Sequence, residues 1–252
     1  MTALVTGASG GLGRAVVRAL AAAGHDVGVH YRGDRDGAAT AVAEVEAAGR
    51  RAVALHADLD VPLDDPATLD ARCVALLDGC ADVLGTPDVV VLNAFPQHHV
   101  AWADLDAAAW DAYHRGGLRP TAVLLHEAAR RMGPGGVVVV VGSIEGLRAM
   151  PTHAPYAVAK AALHHLVSAA AHELGGRGVR VTGVVPGLVD RAGLEDAWPD
   201  GVARYRSAAA LGRPVTPEEV AGAIAFLASG VASGITGTTV TVDAGWSSSP
   251  GW

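Results

Sequence analysis

The chain has 252 residues, half of them apolar, with a formal charge of −7 and its basic residues scattered rather than blocked. That length buries a substantial core, and the charge pattern argues against a nucleic-acid partner and for a small soluble substrate. No apolar run approaches the roughly 20 residues that span a bilayer, and a strand-like Ala3-Leu4-Val5 leaves no room for a signal segment, so a cytoplasmic protein without a membrane partner is expected.

Apolar runs of four to seven residues alternate with helical patterns along the whole chain. Strands are expected over 3–6, 26–31, 52–56, 89–92, 137–141, 180–185 and 239–242, and the Val-rich 137–141 suits a strand buried on both faces of a parallel sheet. This is the pattern of one α/β domain over 1–252, built from βαβ units. Gly24, Gly49, Gly133-Pro134-Gly135-Gly136 and Gly175-Gly176 stand where helices should stop. One stretch breaks the alternation: 188–214 is long and of mixed polarity, and reads as a substrate lid at the carboxyl edge of the sheet. Trp198, Tyr205, Arg191, Arg204 and Arg206 would give it aromatic and cationic character, suited to an acidic or carrier-bound oxo substrate.

After the first strand comes Thr6-Gly7-Ala8-Ser9-Gly10-Gly11-Leu12-Gly13, then a helix over 14–23. Glycines at a strand-to-helix turn let the backbone approach a pyrophosphate and aim helix amides at it. The second strand ends His30-Tyr31-Arg32, where a site for NAD would offer a carboxylate to the ribose. Arg32 would instead clamp a 2′-phosphate, which points to NADPH over NADH; Asp34 and Asp36 oppose that reading.

Lys160 is the only lysine and Asn93 the only asparagine in the chain. A lysine that survives where arginine is plentiful stands where a guanidinium would not serve. Lys160 follows Tyr156 by four residues in a helical run over 153–174, so phenol and ammonium share a face, and the ammonium is expected to lower the phenol's pKa toward that of a general acid. Ser143 ends the fifth strand, where its hydroxyl would reach the same carbonyl oxygen; its plain alternative is a cap. Cys73 and Cys80 read as buried thiols, and the eleven histidines show no ligand spacing for a metal. His98 and His99 are expected near the mouth of the site.

Thr6-Gly7-x-x-x-Gly11-x-Gly13, a serine thirteen residues before tyrosine, and Tyr156-x-x-x-Lys160 resemble the short-chain dehydrogenase/reductase family, in particular its NADPH-dependent ketoreductases and 3-oxoacyl-carrier-protein reductases. Asp58-Leu59, Pro186-Gly187 and the span from Pro217-Glu218-Glu219-Val220 to Val242-Asp243 extend the likeness over the whole chain. The resemblance implies a doubly wound Rossmann fold with a seven-stranded parallel sheet in the order 3-2-1-4-5-6-7, and a homodimer or homotetramer. It implies Ser143, Tyr156 and Lys160 as the catalytic set. The dinucleotide would lie along Thr6, Gly7, Ser9, Gly11, Leu12, Gly13, Tyr31 and Arg32, with Asp58 and Leu59 by the adenine. Asn93, Ala94, Tyr156, Lys160, Pro186, Gly187 and Val189 would flank its nicotinamide end.

Three departures stand out. Phe95 replaces a glycine beside the cofactor, Gly117 replaces an asparagine that holds a relay water to the lysine, and Arg191 replaces a threonine. Gly116-Gly117 is expected to keep a helix irregularity there, with the Gly117 carbonyl holding the water. The leading expectation is reduction of a ketone by NADPH. The alternatives are a lyase, dehydratase or isomerase that keeps Tyr156 and Lys160 for proton transfer, and a dinucleotide sensor without turnover.

Overall fold

A computed structural model describes residues 1–248. Seven parallel strands, β1 (Thr2–Val5), β2 (Asp26–Tyr31), β3 (Ala52–His56), β4 (Val89–Leu92), β5 (Val137–Val141), β6 (Arg180–Pro186) and β7 (Thr239–Val242), form one sheet in the order 3-2-1-4-5-6-7. β1, β4 and β5 are buried along their whole length because helices cover both faces, which is why their sequences are continuous rather than alternating apolar runs. One face packs on α1 (Gly11–Ala22), α2 (Arg35–Ala47) and α9 (Pro217–Ala228), around Val16, Leu20, Val45 and Ile224. The other packs on α3 (Pro66–Leu84), α5 (Arg119–Arg131) and α6 (Ala154–Leu174), around Leu69, Cys73, Cys80, Leu124 and Leu163. Both cysteines are free and buried, as expected, and burial drives each thiol up to about 12.

Three boundaries differ from expectation. β1 covers Thr2–Val5, so Thr6 lies just past the strand and its hydroxyl is turned to other work. α1 begins at Gly11 rather than at residue 14, because Gly10 is extended and serves as the N-cap. β6 runs on to Pro186, which is tolerated at the end of the strand because the bond to β7 there comes from the next residue, Gly187 N–H donating to the Val242 carbonyl at 2.9 Å. The segment expected as a lid is not loop throughout: it holds the short helices α7 (Leu194–Ala197) and α8 (Pro199–Ala208).

The strand order reverses between β1 and β4, and the loops that leave their carboxyl ends diverge there to open a crevice. Thr6 ties the two strands at that point. Its hydroxyl oxygen accepts from the backbone N–H groups of Asn93 (2.9 Å) and Ala94 (3.0 Å), and the Asn93 amide returns to the carbonyls of Thr6 (3.0 Å) and Gly7 (3.1 Å). The sole asparagine therefore braces the glycine turn from behind.

Candidate active site

At the glycine turn Gly7 and Gly11 have φ of +62° and +52°, which disfavour any side chain. A Cβ on Gly13 would lie 2.0 Å from the Gly7 carbonyl oxygen, so that glycine is needed for helix α1 to sit on the turn. Gly10 and Gly11 face open space, and α1, unlike α2, α3, α4 (Ala107–Tyr113) and α9, has no side chain capping its first turn. Uncapped amides opening on an empty cradle fit a dinucleotide pyrophosphate. Ser9 and Leu12 are half-buried on this turn, and Leu12 packs back on the core.

At the end of β2, Tyr31 leans on the His56 ring (5.4 Å between centroids), and Arg32 is exposed with no ion-pair partner among the described residues. Asp34 is engaged elsewhere: it caps α2, its Oδ1 accepting from Gly37 N at 2.9 Å. Asp58, after β3, accepts from Asp60 N at 3.0 Å, with Leu59 buried beside it. Gly187 follows β6 where a Cβ would collide with the Tyr205 hydroxyl, and Val189 pairs with Val215.

β5 and α6 bring Ser143, Tyr156 and Lys160 together at the carboxyl edge, with 8%, 8% and 3% exposure. Ser143 Oγ accepts from Glu145 N (3.2 Å), and a hydrogen bond with Ser143 lowers the Tyr156 phenol's pKa without offsetting burial. Lys160 does not point at that phenol. Its Nζ donates to the Val141 carbonyl oxygen at 2.8 Å and lies 3.9 Å from the centre of the Phe95 ring, against 5.6 Å from the Tyr156 ring. The expected lowering of the Tyr156 pKa by the ammonium is therefore not what the structure supports. Burial pushes the phenol up to about 12 and Lys160 down to about 7, so near neutrality the ammonium is only partly charged and is spent on a carbonyl and an aromatic face.

Phe95 explains both the lysine's position and Gly117. The segment His114–Leu118 between α4 and α5 is a π-helical turn, the irregularity expected at Gly116-Gly117. A Cβ on Gly117 would lie 2.6 Å from the Phe95 ring. The two departures from the family pattern are thus one exchange of volume: the bulk gained at 95 fills the place vacated at 117. The Gly117 carbonyl accepts from the Thr121 hydroxyl at 2.7 Å.

Sequence reasoning did not single out a polar cluster beside Tyr156. His153, 5% exposed, bonds through Nδ1 to Glu145 Oε2 at 2.7 Å, and its Nε2 stands 3.2 Å from Nε2 of His99, whose Nδ1 meets the Thr152 hydroxyl at 3.0 Å. His99 had been expected near the mouth; the partners had no signal in periodicity or spacing. His98 lies by Tyr113, its backbone N–H donating to the Tyr113 oxygen at 2.7 Å. In the expected lid, Tyr205 is turned inward, donating to the Asp243 carbonyl at 2.6 Å and stacking on Trp246, and Arg206 is paired with Glu195 at 2.8 Å. That leaves Arg191 and Arg204 exposed and Trp198 partly so. Among the described residues no cluster of His, Cys, Asp and Glu could hold a metal, and no helix is long and apolar enough to cross a membrane.

The family model described as enoyl-(acyl carrier protein) reductase matches residues 7–247. L-rhamnose 1-dehydrogenase (NAD(P)(+)) of Sphingomonas sp. (strain SKA58) is 34% identical over 249 residues, 97% of this chain and 95% of that protein. 1-Cyclohexenylcarbonyl-CoA reductase of Streptomyces collinus is 35% identical over 97% of this chain and 86% of its own length. The crystal structure of the angucycline C-6 ketoreductase LanV with bound NADP superimposes with a TM-score of 0.89 at 30% identity, covering 97% of this chain and 95% of that one. The chain belongs to the short-chain dehydrogenase/reductase family of oxidoreductases.

The Phe95–Gly117 contact yields a test by double-mutant cycle. Gly117→Asn alone should lower Tm, because the side chain has no room beside the ring, and Phe95→Gly alone should leave a void over Lys160. Together they should recover a coupling of about 0.5–3 kcal/mol in thermal or urea unfolding, as for residues in direct contact. Additive losses would mean that the two positions do not share one volume.

Proposed function

We propose that the protein is an NADPH-dependent oxidoreductase of a single domain that reduces a ketone to a secondary alcohol, the reverse oxidation using the same groups. The observation that carries this reading is the convergence of Ser143 and Tyr156 at the carboxyl edge of the sheet, with β4 alone between their strand and the glycine turn after β1, whose uncapped amides fit a dinucleotide. Relatives support it: one carries NAD(P)(+) in its name, and a ketoreductase of the same fold binds NADP.

The bound cofactor supplies the hydride. Thr6, Gly7, Ser9, Gly11, Leu12 and Gly13 would hold its pyrophosphate, Asp58 and Leu59 its adenine, and Asn93, Ala94, Pro186, Gly187 and Val189 its nicotinamide end. Arg32, which has no ion-pair partner among the described residues while Asp34 is tied into the α2 cap, is positioned to take a 2′-phosphate. Tyr156 is the general acid. With its pKa held high by burial it stays protonated across the neutral range, so a proton is present whenever carbonyl oxygen begins to gain charge. Ser143 would donate to that same oxygen and orient it. Lys160 shapes the floor of the site, its Nζ held by the Val141 carbonyl. The segment 188–214 would cover the substrate, with Arg191 and Arg204 giving it a preference for an acidic or carrier-bound ketone.

Following NADPH absorbance over a panel of ketones tests this directly. Tyr156→Phe should abolish turnover, a loss of about 10²–10⁴ for a general acid, and leave NADPH affinity within a few-fold. A variant that keeps most of its kcat would overturn the role of the phenol. For cofactor choice, Arg32→Ala should weaken NADPH about ten- to a hundredfold and leave NADH nearly unchanged, measured by titration at one ionic strength. Equal weakening of both, or a wild type that prefers NADH, would overturn the NADPH assignment.

A further inference from the structure

The reading of the site as a carbonyl reductase leaves a proton to be replaced. Each turnover takes one from Tyr156 and leaves a buried phenolate that must be reprotonated from solvent. The way past Lys160 is closed in this chain. The ammonium is buried, its nearest faces are the Val141 carbonyl and the Phe95 ring, that ring fills the space beside Gly117 Cα, and the Gly117 carbonyl that would seat a water already accepts from the Thr121 hydroxyl. A close aromatic face with no polar atom cannot pass a proton.

Beside the phenol lies a hydrogen-bonded series of groups that can. The His153 ring is 5.5 Å from the Tyr156 ring, centre to centre, and Glu145 is near enough for its charge to act on both Tyr156 and Lys160. From His153 the series runs to His99, which is exposed. One choice of tautomers satisfies all three contacts: the Thr152 hydroxyl donating to His99 Nδ1, His99 Nε2–H to His153 Nε2, and His153 Nδ1–H to the Glu145 carboxylate. The groups facing this series from neighbouring elements are Tyr113 on α4 and Tyr156 and Lys160 on α6, none of which interrupts it. As a purely structural feature, a buried carboxylate and imidazole would be held here against a desolvation cost that an apolar pair would avoid.

We propose that the Glu145–His153–His99 series is the route by which solvent restores the proton that Tyr156 gives up, replacing the water-borne route beneath the lysine that Phe95 has closed. His99 takes a proton from bulk water, and His153 takes it in turn. His153 gives its Nδ1 proton to Glu145, whose carboxyl passes it through a bound water or the Ser143 hydroxyl to the phenolate oxygen, leaving Glu145 ionised and both imidazoles neutral. No bond to carbon changes and no redox partner is involved. His153, Glu145 and His99 act through Tyr156 and are positioning residues of the acid.

The test uses the full chain, NADPH and a panel of cyclohexanone, ethyl acetoacetate, acetoacetate and an acetoacetyl thioester. His153→Asn and His99→Asn should lower kcat at least about tenfold with KM little changed, raise the solvent isotope effect on kcat, and recover on addition of imidazole buffer, which leaves the wild type unaffected. His99 is exposed, so His99→Asn carries the test if His153→Asn does not fold. In a Phe95→Gly/Gly117→Asn background the lysine side reopens and His99→Asn should cost less. Variants with wild-type kcat, or with lost kcat that imidazole does not restore, would overturn the route and leave the carbonyl-reductase reading standing. A wild type inert toward every ketone of the panel would overturn the parent reading, and the route with it.

Discussion

One contact organises the site: the enclosed ammonium of Lys160, held between the Val141 carbonyl at the end of β5 and the face of Phe95. A buried cation is costly unless it is given partners, and each partner here makes a demand of its own. Phe95 can lie over the lysine only because Gly117 lacks a side chain. The backbone at Gly117 is a π-helical turn that joins α4 to α5. Tyr113, just before that turn, holds the backbone of His98, and the same loop sets His99 against His153 with the ring centroids 3.9 Å apart. A chain of packing thus runs from the one lysine to the one exposed end of the polar series.

The same burial fixes the electrostatics. With Lys160 at about 7 in the fold against an ordinary 10.5, the unfolded chain binds more protons than the folded one between those values. Stability from this group therefore rises with pH through that window, the reverse of a surface lysine gaining an acidic partner. Tyr156, raised to about 12 from 10, works the other way above pH 10, where the unfolded phenol ionises first and stability from it falls. At neutral pH the site therefore holds a protonated phenol beside a partly discharged amine, an arrangement suited to giving a proton rather than to holding a phenolate.

Much of the fold was readable because local signals agreed with the global pattern. Five of the seven strands, β2, β3, β4, β5 and β7, fall where apolar runs and glycine stops placed them, the central β4 and β5 most plainly because a strand buried on both faces must be apolar throughout. The glycine turn, the place of Ser143 at the end of β5, and the shared face of Tyr156 and Lys160 were legible for the same reason: each follows from position along one element. What was not legible depends on pairs distant in sequence. The ring of Phe95 against Gly117, the inward turn of Tyr205 to Asp243 and the Glu145–His153–His99 series are contacts that periodicity does not encode. The direction of the Tyr156 pKa was misjudged for a related reason: helical spacing put the ammonium on the right face, but Phe95 and the Val141 carbonyl decided where it points.

The chain's single lysine makes the central contact directly measurable. In protein labelled with ¹³C at lysine Cε, one side-chain resonance reports Lys160 alone, and its titration gives the ammonium's pKa without any substrate. The account predicts a midpoint of about 7, moving upward in Phe95→Gly as water enters. A midpoint at the ordinary 10.5 would show that the ammonium is solvated, and would contradict the closed floor on which the rest of the site is built.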